Sequence, residues 1–296
     1  MDEVKDAELR KSRAGDQGSA AYWTEHMVAH EDFSDVADSI DHFEWRSAQY
    51  PGYIDLMPVN GHDGKVIVDY GCGPGNDLIG FSVYSNPQKL IGLDVSETAL
   101  SASEKRLKLH GKQAELVQIE EEDNQIPLEA ESVDLIHTSG VLHHCKNLDA
   151  VLSELNRILR PGGEMQVMVY NYESLWVHLY TAFIHQIEQA LYSECDIREA
   201  FRQTTDGQYC PVSRCYKPKD FLADVEKTGF TGEFVGASIS LTELRLLPRR
   251  FDAIGSRKLA KEHRDFLSEL TFNSKGIPIS QGAVAGIGGC YKFIKR

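Results

Sequence analysis

Short apolar runs alternate with amphipathic stretches through the middle of the chain. The apolar runs predict strands over 66–70, 89–93, 115–119, 133–138 and 165–170. Apolar positions at three- and four-residue spacing predict helices over 77–84, 97–109 and 147–160. Strands that alternate with helices form a parallel sheet covered on both faces. The pattern therefore predicts a doubly wound α/β domain.

Both ends of the chain depart from this rhythm. Between Tyr22 and Met57, apolar and aromatic residues recur at helical spacing and predict two helices before the first strand. The last third predicts helix over 173–205 and 218–228, a strand near 233–240, mostly helix over 242–272 and a final strand over about 283–295. Helical insertions beside late strands favour a lid, because loops at the carboxyl ends of such sheets carry function.

Composition and charge narrow the classes of function. The 296 residues are 42% hydrophobic, enough to bury a full core. The net charge of −14 disfavours binding to a nucleic-acid backbone. The charged N-terminus lacks a signal peptide's apolar core, and no stretch reaches the roughly 18 apolar residues of a membrane span. The six cysteines are scattered, which favours a reducing compartment over a disulfide framework. We expect a cytoplasmic protein with no nucleic-acid or membrane partner; its oligomeric state stays open.

The segment VIVDYGCGPGND raises the question of which ligand its loop holds. Gly71, Gly73 and Gly75 alternate directly after a predicted strand, which suits a tight turn and close approach of a ligand. A Walker A loop needs Lys and then Ser or Thr, where this chain has Asn76 and Asp77. A dinucleotide fingerprint places its third glycine one residue later than here. Both phosphate-binding motifs are therefore disfavoured.

Carboxylates around this loop favour a cationic nucleoside. Asp69 ends the first predicted strand, Asp77 follows the glycines, and Asp94 ends the next strand in IGLDVS. A carboxylate about 20 residues past such a loop suits the two hydroxyl donors of a ribose. S-adenosylmethionine is the common cofactor that carries positive charge and no phosphate.

Four stretches carry a resemblance to a known family. They are VIVDYGCGPGND, IGLDVS, IPLEAESVDLIHTSGVLHH and ILRPGGEMQVMVYN, which together cover about residues 65–172. In this order they resemble the class I S-adenosylmethionine-dependent methyltransferases. The resemblance implies S-adenosylmethionine as cofactor and an α/β, Rossmann-like, doubly wound sheet of seven mostly parallel strands with an antiparallel last strand, plus N-terminal helices and helical lid insertions. A Rossmann-like domain that has lost its cofactor is the alternative.

The expected organisation has four parts. They are an N-terminal helical cap at 1–60, the S-adenosylmethionine-binding core at 61–172, a helical lid insertion at 173–216 and the remainder of the core at 217–296, with a second helical insertion near 242–272.

The resemblance also assigns cofactor contacts. Asp69 is expected at the methionine end of the cofactor, Asp94 at the ribose hydroxyls and the backbone around Thr138 beneath the methyl donor. An acidic residue in QIEEEDNQIPL is expected at the adenine, where Glu120 and Glu121 compete and Glu122 is a further alternative. Arg46 is a candidate for binding the methionine carboxylate, and an ordinary surface role is the alternative for it. The predicted contacts are Asp69, Gly71, Gly73, Asp94, Val95, Glu120, Glu121, Thr138 and Arg46.

Catalysis is expected from the pair His143 and His144 in SGVLHHC. Methyl transfer positions two reactants and removes a proton where the acceptor carries one. Histidine changes charge near neutral pH, which suits such a base. In some small-molecule methyltransferases of the family that this chain resembles, the residue that matches His143 contacts the acceptor. Packing or helix capping by the two histidines is the alternative.

Acceptor contacts are expected from Tyr170 and Tyr172 and from a locally basic segment, 242–264. Guanidinium groups suit a carboxylate or phosphate, so Arg245, Arg249 or Arg250 is a candidate, with Arg249 as the predicted contact. A solvated helix face is the alternative for this segment.

No metal site is expected. His26 and His30 are spaced four residues apart, but the methionine between them replaces the glutamate of a zinc-protease helix. Cys210 and Cys215 lack the tighter spacing and the second pair of zinc sites.

The sequence thus predicts a methyltransferase for a small-molecule acceptor, with O- or N-methylation preferred, because added helices favour an enclosed pocket. A methyltransferase of proteins or other macromolecules and a non-catalytic S-adenosylmethionine-binding subunit are the alternatives.

Overall fold

A seven-stranded sheet runs through the part of the chain that this computed structural model describes, which is residues 19–27, 31–120 and 125–296. The described residues form ten strands in two sheets, seven in this one and three in a smaller one. They are β1 (Val66–Tyr70), β2 (Lys89–Asp94), β3 (Glu115–Gln118), β4 (Val133–Ser139), β5 (Leu159–Tyr170), β6 (Phe230–Ser238), β7 (Thr271–Phe272), β8 (Pro278–Ser280), β9 (Ala283–Val284) and β10 (Gly288–Lys295). The order is β3-β2-β1-β4-β5-β10-β6, with β7, β8 and β9 in a separate small sheet. Strands β1 to β5 pair in parallel, and β10 is antiparallel to both β5 and β6. The predicted fold class is confirmed.

Helices pack on both faces of this sheet. They are α1 (Ser19–Glu25), α2 (Val36–Ala48), α3 (Tyr53–Leu56), α4 (Asn76–Tyr84), α5 (Glu97–Leu109), α6 (Leu148–Ile158), α7 (Ile197–Thr205), α8 (Pro218–Glu226), α9 (Leu241–Leu246), α10 (Arg250–Gly255) and α11 (Lys261–Ser268), with 3₁₀ turns at Leu142–His144 and Leu247–Arg249 and a π-helix at Trp176–Glu188. Successive side chains of β1 enter different cores: Ile67 packs with Leu78 and Leu100, whereas Val68 packs with Leu152. This two-sided burial explains why β1 is continuously apolar at its start.

Several predicted boundaries are wrong. The strand predicted over 165–170 begins earlier, because the RPGG stretch at 160–163, whose Pro-Gly pair is typical of a turn, belongs to β5, whose Leu159 already pairs with Val133 of β4. The predicted helix over 173–205 is split, since Ala190 and Tyr192 have positive φ between the π-helix and α7. The predicted final strand over 283–295 is also split, into β9 and β10. Between them the backbone at Gly286 nearly touches that of Ser238, since a Cβ at Gly286 would lie 2.2 Å from the Ser238 carbonyl oxygen. Between Tyr22 and Met57 the described residues form three helices rather than two.

The two helical insertions pack against each other. Leu179 and Phe183 of the π-helix share one apolar core with Ala253, Leu259 and Phe266 of the later insertion. The expected divisions at 60, 172 and 216 and the lid role stay predictions. No helix in the described ranges has the length and apolar character needed to cross a bilayer.

The glycine loop between β1 and α4 follows a path that side chains would block. Gly71 has φ +76°, and a Cβ there would lie 2.3 Å from Cγ2 of Val141. Gly75 has φ +81°, and a Cβ there would lie 2.8 Å from Oγ of Ser103. The loop is thus held between the end of β4 and α5.

Gly71→Ala should therefore destabilise the protein more than Gly64→Ala. Gly64 has a similar φ of +72°, but a Cβ there would meet no described atom within 4 Å, so it measures the strain of a left-handed alanine alone, about 1–2 kcal/mol. Crowding against Val141 should add about 1–3 kcal/mol at Gly71. Urea unfolding measures both variants, and equal losses would show that Val141 moves aside at no cost.

Candidate functional site

A cavity of about 640 Å³ lies where the sheet strands end and several helices meet. Its floor is the glycine loop, the ends of β2 and β5 and the turn after β4. Its walls come from the N-terminal helices, the first insertion and α9. Besides the residues discussed below, the lining includes Met27, Trp45, Gln49, Tyr50, Tyr53, Asn76, Ile126, Ser139, Gly140, Val141, Met168, Ser238, Ser240, Leu241, Thr242, Ile287 and Gly288.

Most of the residues predicted to bind the cofactor lie on this wall. Those that do are Gly71, Gly73, Asp94, Val95, Glu120 and Arg46. Asp69 and Thr138 are buried and do not line the cavity. Glu121 lies outside the described residues.

Backbone donors hold the Asp94 carboxylate in place. Its Oδ2 accepts from the Gly73 N–H and its Oδ1 from the Ser96 N–H, each at 2.8 Å. Burial raises the pKa of Asp94 above its ordinary value. A carboxylate has about four lone-pair sites, so two remain for a ligand. A Cβ at Gly73 would meet nothing within 4 Å, which leaves room beside this carboxylate.

A buried charge network lies next to the glycine loop. The Arg46 guanidinium pairs with Oδ1 of Asp77, and Nε2 of His137 lies 3.4 Å from Oδ2 of the same carboxylate. Burial alone would raise the pKa of Asp77, but Arg46 and His137 hold it below its ordinary value. Burial raises the pKa of Asp69 to about 7, and its Oδ2 has no hydrogen-bond partner among the described residues.

Of the two predicted catalytic histidines, the structure brings His144 and not His143 to the cavity wall. The His143 ring is fully buried, packs 3.9 Å from the Tyr170 ring and has no hydrogen-bond partner in the described part of the chain. Nδ1 of His144 lies 2.6 Å from the Val212 carbonyl oxygen, to which it must donate. Nε2 therefore carries the lone pair, and burial lowers the pKa of His144, so the ring is a neutral base.

Of the residues predicted to contact the acceptor, too, some line the cavity and others do not. Tyr170 lines the cavity, whereas the Tyr172 hydroxyl donates to Glu262 outside it. Arg249 also lies elsewhere, because the 3₁₀ turn after α9 directs it to surface carboxylates. Arg245, from the same basic segment, lines the cavity instead.

Sequence reasoning missed Asp206, which follows α7 and lines the cavity. Its Oδ1 accepts from the Tyr170 hydroxyl at 2.9 Å and its Oδ2 from the Ser213 hydroxyl at 2.6 Å. Ligand-type atoms of His144, Asp206 and Cys210 all lie within 4.8 Å of one another. The Asp-Gly pair at 206–207 indicates a turn, but no local pattern indicates that this turn reaches the cavity.

Residues 68–167 match the family model described as a methyltransferase domain. An uncharacterized methyltransferase of Schizosaccharomyces pombe is 31% identical over 33% of this chain and 37% of its own length. A malonyl-[acyl-carrier protein] O-methyltransferase of Marinomonas sp. is 31% identical over 41% of this chain and 47% of its own length. This chain therefore spans less than half the length of these curated relatives.

The fold has solved counterparts. The YcgJ protein of Bacillus subtilis superimposes with a TM-score of 0.51 at 17% identity, over 82% of this chain and 96% of that one. Together with the sequence match, this confirms the predicted resemblance. Residues 68–167 thus resemble a methyltransferase domain, and the chain shares its fold with this solved structure.

The ion pair beside the loop makes a stability prediction. Asp77→Asn should cost about 1.5–3 kcal/mol, because the partly buried Arg46 guanidinium loses its charged hydrogen-bond partner. Asp252→Asn is the matched control: it breaks an arginine pair too, but at the exposed Arg249, and should cost about 1 kcal/mol or less. Denaturant unfolding compares the two, and similar losses would show that the Arg46 pair is solvated like a surface pair.

Proposed function

We propose that this protein transfers a methyl group from S-adenosylmethionine to a small-molecule acceptor bound in the same cavity. One observation carries the proposal: a single cavity joins the glycine loop and Asp94 to the neutral ring of His144 and the aromatic residues Tyr170 and Trp176. The first pair is the family's cofactor cradle, and the second pair can position and deprotonate an acceptor.

The residues on the cofactor side fit S-adenosylmethionine. Asp94 has lone pairs left for ribose hydroxyls, and the space at Gly73 admits a ligand against the backbone. Glu120 would meet the adenine amino group. Arg46 would attract the methionine carboxylate while its pair with Asp77 holds it at the wall.

His144 would act as the general base for the acceptor. When bound, the cofactor supplies a methyl group activated by a sulfonium. Nε2 of His144 would take the acceptor's proton, while the Val212 carbonyl keeps Nδ1 protonated. Trp23, whose ring lies 4.6 Å from that of His144, would exclude water from this end of the cavity.

The enclosure of the cavity supports a small acceptor. A volume of about 640 Å³ lies within the range of small-molecule sites, and helices from three parts of the chain form its walls. The Marinomonas relative is named for methylation of a malonyl group on a carrier protein, so a small group is its methylated part as well.

Asp94→Ala should weaken S-adenosylmethionine binding by about 1–3 kcal/mol, because the ribose hydroxyls lose an acceptor. Calorimetric titration measures it. Asp63→Ala is the matched control, since it too removes a carboxylate that accepts a backbone N–H, that of Asn86, but away from the cavity. Unchanged affinity in Asp94→Ala would remove this residue from the site. Tighter binding of NAD or ATP would overturn the cofactor assignment.

His144→Ala should lower kcat by about 10²–10⁴-fold while the affinity for S-adenosylmethionine stays unchanged. Because the base must be neutral and burial lowers its pKa, wild-type kcat/KM should rise with pH through a value below the ordinary 6.5. Turnover is measured with methyl-labelled cofactor on an acceptor isolated from metabolite extracts.

His185→Ala is the control for this loss, since that ring packs on Tyr180 and does not line the cavity. His144→Gln should be as slow as His144→Ala, because glutamine can hydrogen-bond but cannot take a proton. Full turnover in both His144 variants would mean that proximity alone drives transfer.

A further inference from the structure

The Asp206 carboxylate faces the cavity without a cationic partner. Its hydrogen bonds come from the neutral hydroxyls of Tyr170 and Ser213, and no described Lys, Arg or His forms an ion pair with it. Asp77, also on the wall, is neutralised by Arg46. Asp206 thus lies on the wall without an ion-pair partner among the described residues, and two of its lone-pair sites remain for a ligand.

Three aromatic residues, Trp23, Tyr170 and Trp176, line the same cavity as this carboxylate. The Tyr170 ring carries the hydroxyl bonded to it, and the Trp176 indole N–H donates at 2.9 Å to Thr205, the residue before Asp206. The Trp23 ring lies against His144 on the same wall. Aromatic faces attract cations through their quadrupole, and a carboxylate among them is the arrangement that binds ammonium groups.

The neighbouring base adds no competing positive charge. Ligand-type atoms of His144 and Asp206 lie within 4.8 Å of each other, and His144 is neutral. Arg245 is the opposing feature, because it lines the cavity and makes no hydrogen bond or ion pair with any described residue. Its side chain is solvent-exposed on α9, however, so water compensates its charge, whereas Asp206 is only partly exposed.

We propose that the acceptor is a primary or secondary amine that binds as its ammonium form to Asp206. This inference rests on the proposed methyl transfer and narrows it to N-methylation. Asp206 accepts a hydrogen bond from the ammonium, and the rings of Tyr170, Trp23 and Trp176 enclose the carbon atoms beside it.

The step balances without a further reactant. One ammonium proton moves to Nε2 of His144, which becomes imidazolium beside the Asp206 carboxylate. The freed nitrogen lone pair forms the new N–CH₃ bond, and the S–CH₃ bond breaks with its electron pair going to sulfur. The products are the N-methylammonium and S-adenosylhomocysteine, and the proton on His144 then passes to solvent.

Binding of matched probes tests this inference. Calorimetry compares 2-phenylethylamine, 2-phenylethanol and phenylacetate on protein saturated with S-adenosylhomocysteine. The amine should bind about 10-fold or more tightly than the alcohol, since a hydrogen bond between an ammonium and a carboxylate is stronger than one from a neutral hydroxyl. Asp206→Asn should abolish this preference and Asp206→Glu should partly restore it, while affinity for S-adenosylmethionine stays normal.

Asp196→Asn is the matched control, because Asp196 caps α7, the helix that ends beside Asp206, and asparagine caps equally well. It should leave the amine preference intact. Equal binding of amine and alcohol, or an amine preference that survives Asp206→Asn, would overturn the inference. Tighter binding of phenylacetate would also overturn it and would direct recognition to Arg245.

A metal ion is the remaining rival at this position. Stoichiometric Co²⁺ binding with a sulfur-to-cobalt absorption band that Cys210→Ser abolishes would overturn the inference, because Asp206 would then be a metal ligand. Failure of S-adenosylmethionine to bind would refute the proposed function instead, and the comparison of amine and alcohol on unsaturated protein would still test Asp206.

Discussion

The partly buried ion pair between Arg46 and Asp77 joins the two parts of the molecule that enclose the cavity. Arg46 lies in α2, which belongs to the N-terminal helices, and Asp77 lies in the first turn of α4 behind the glycine loop. Each charge would be costly to bury alone, so each requires the other in place. The cover of the cavity is thereby fixed to the floor, and the carboxylate near His137 is kept ionised.

A second buried carboxylate organises the opposite wall. Glu243 is fully buried, and its oxygens accept from the backbone N–H groups of Ser240 at 2.8 Å, Trp176 at 3.0 Å and Ile287 at 3.3 Å. These donors belong to the entry of α9, the π-helix and the turn before β10. Burial raises the pKa of Glu243 to about 7. One side chain thus holds three segments that line the acceptor end of the cavity.

More of the residues predicted for the cofactor than of those predicted for the acceptor line the cavity, and the reason is physical. Strand periodicity and the glycine spacing are local, so Gly71, Gly73 and Asp94 could be assigned from neighbouring residues alone. The choice between His143 and His144 depends on a contact with Val212, 68 residues later. Asp206 reaches the cavity only because the first insertion folds back on β5, which no spacing in the sequence encodes.

This division also explains how one core serves a particular acceptor. The glycine loop and the strand ends are constrained by the sheet on both faces, so their geometry follows from the fold itself. The acceptor wall is assembled from helices that meet through isolated polar contacts, such as the hydrogen bond from the Tyr22 hydroxyl to the Asp206 carbonyl oxygen at 2.5 Å. Residues on such a wall can change without disturbing the sheet. The proposed choice of acceptor therefore depends on the added segments and on a charge such as that of Asp206.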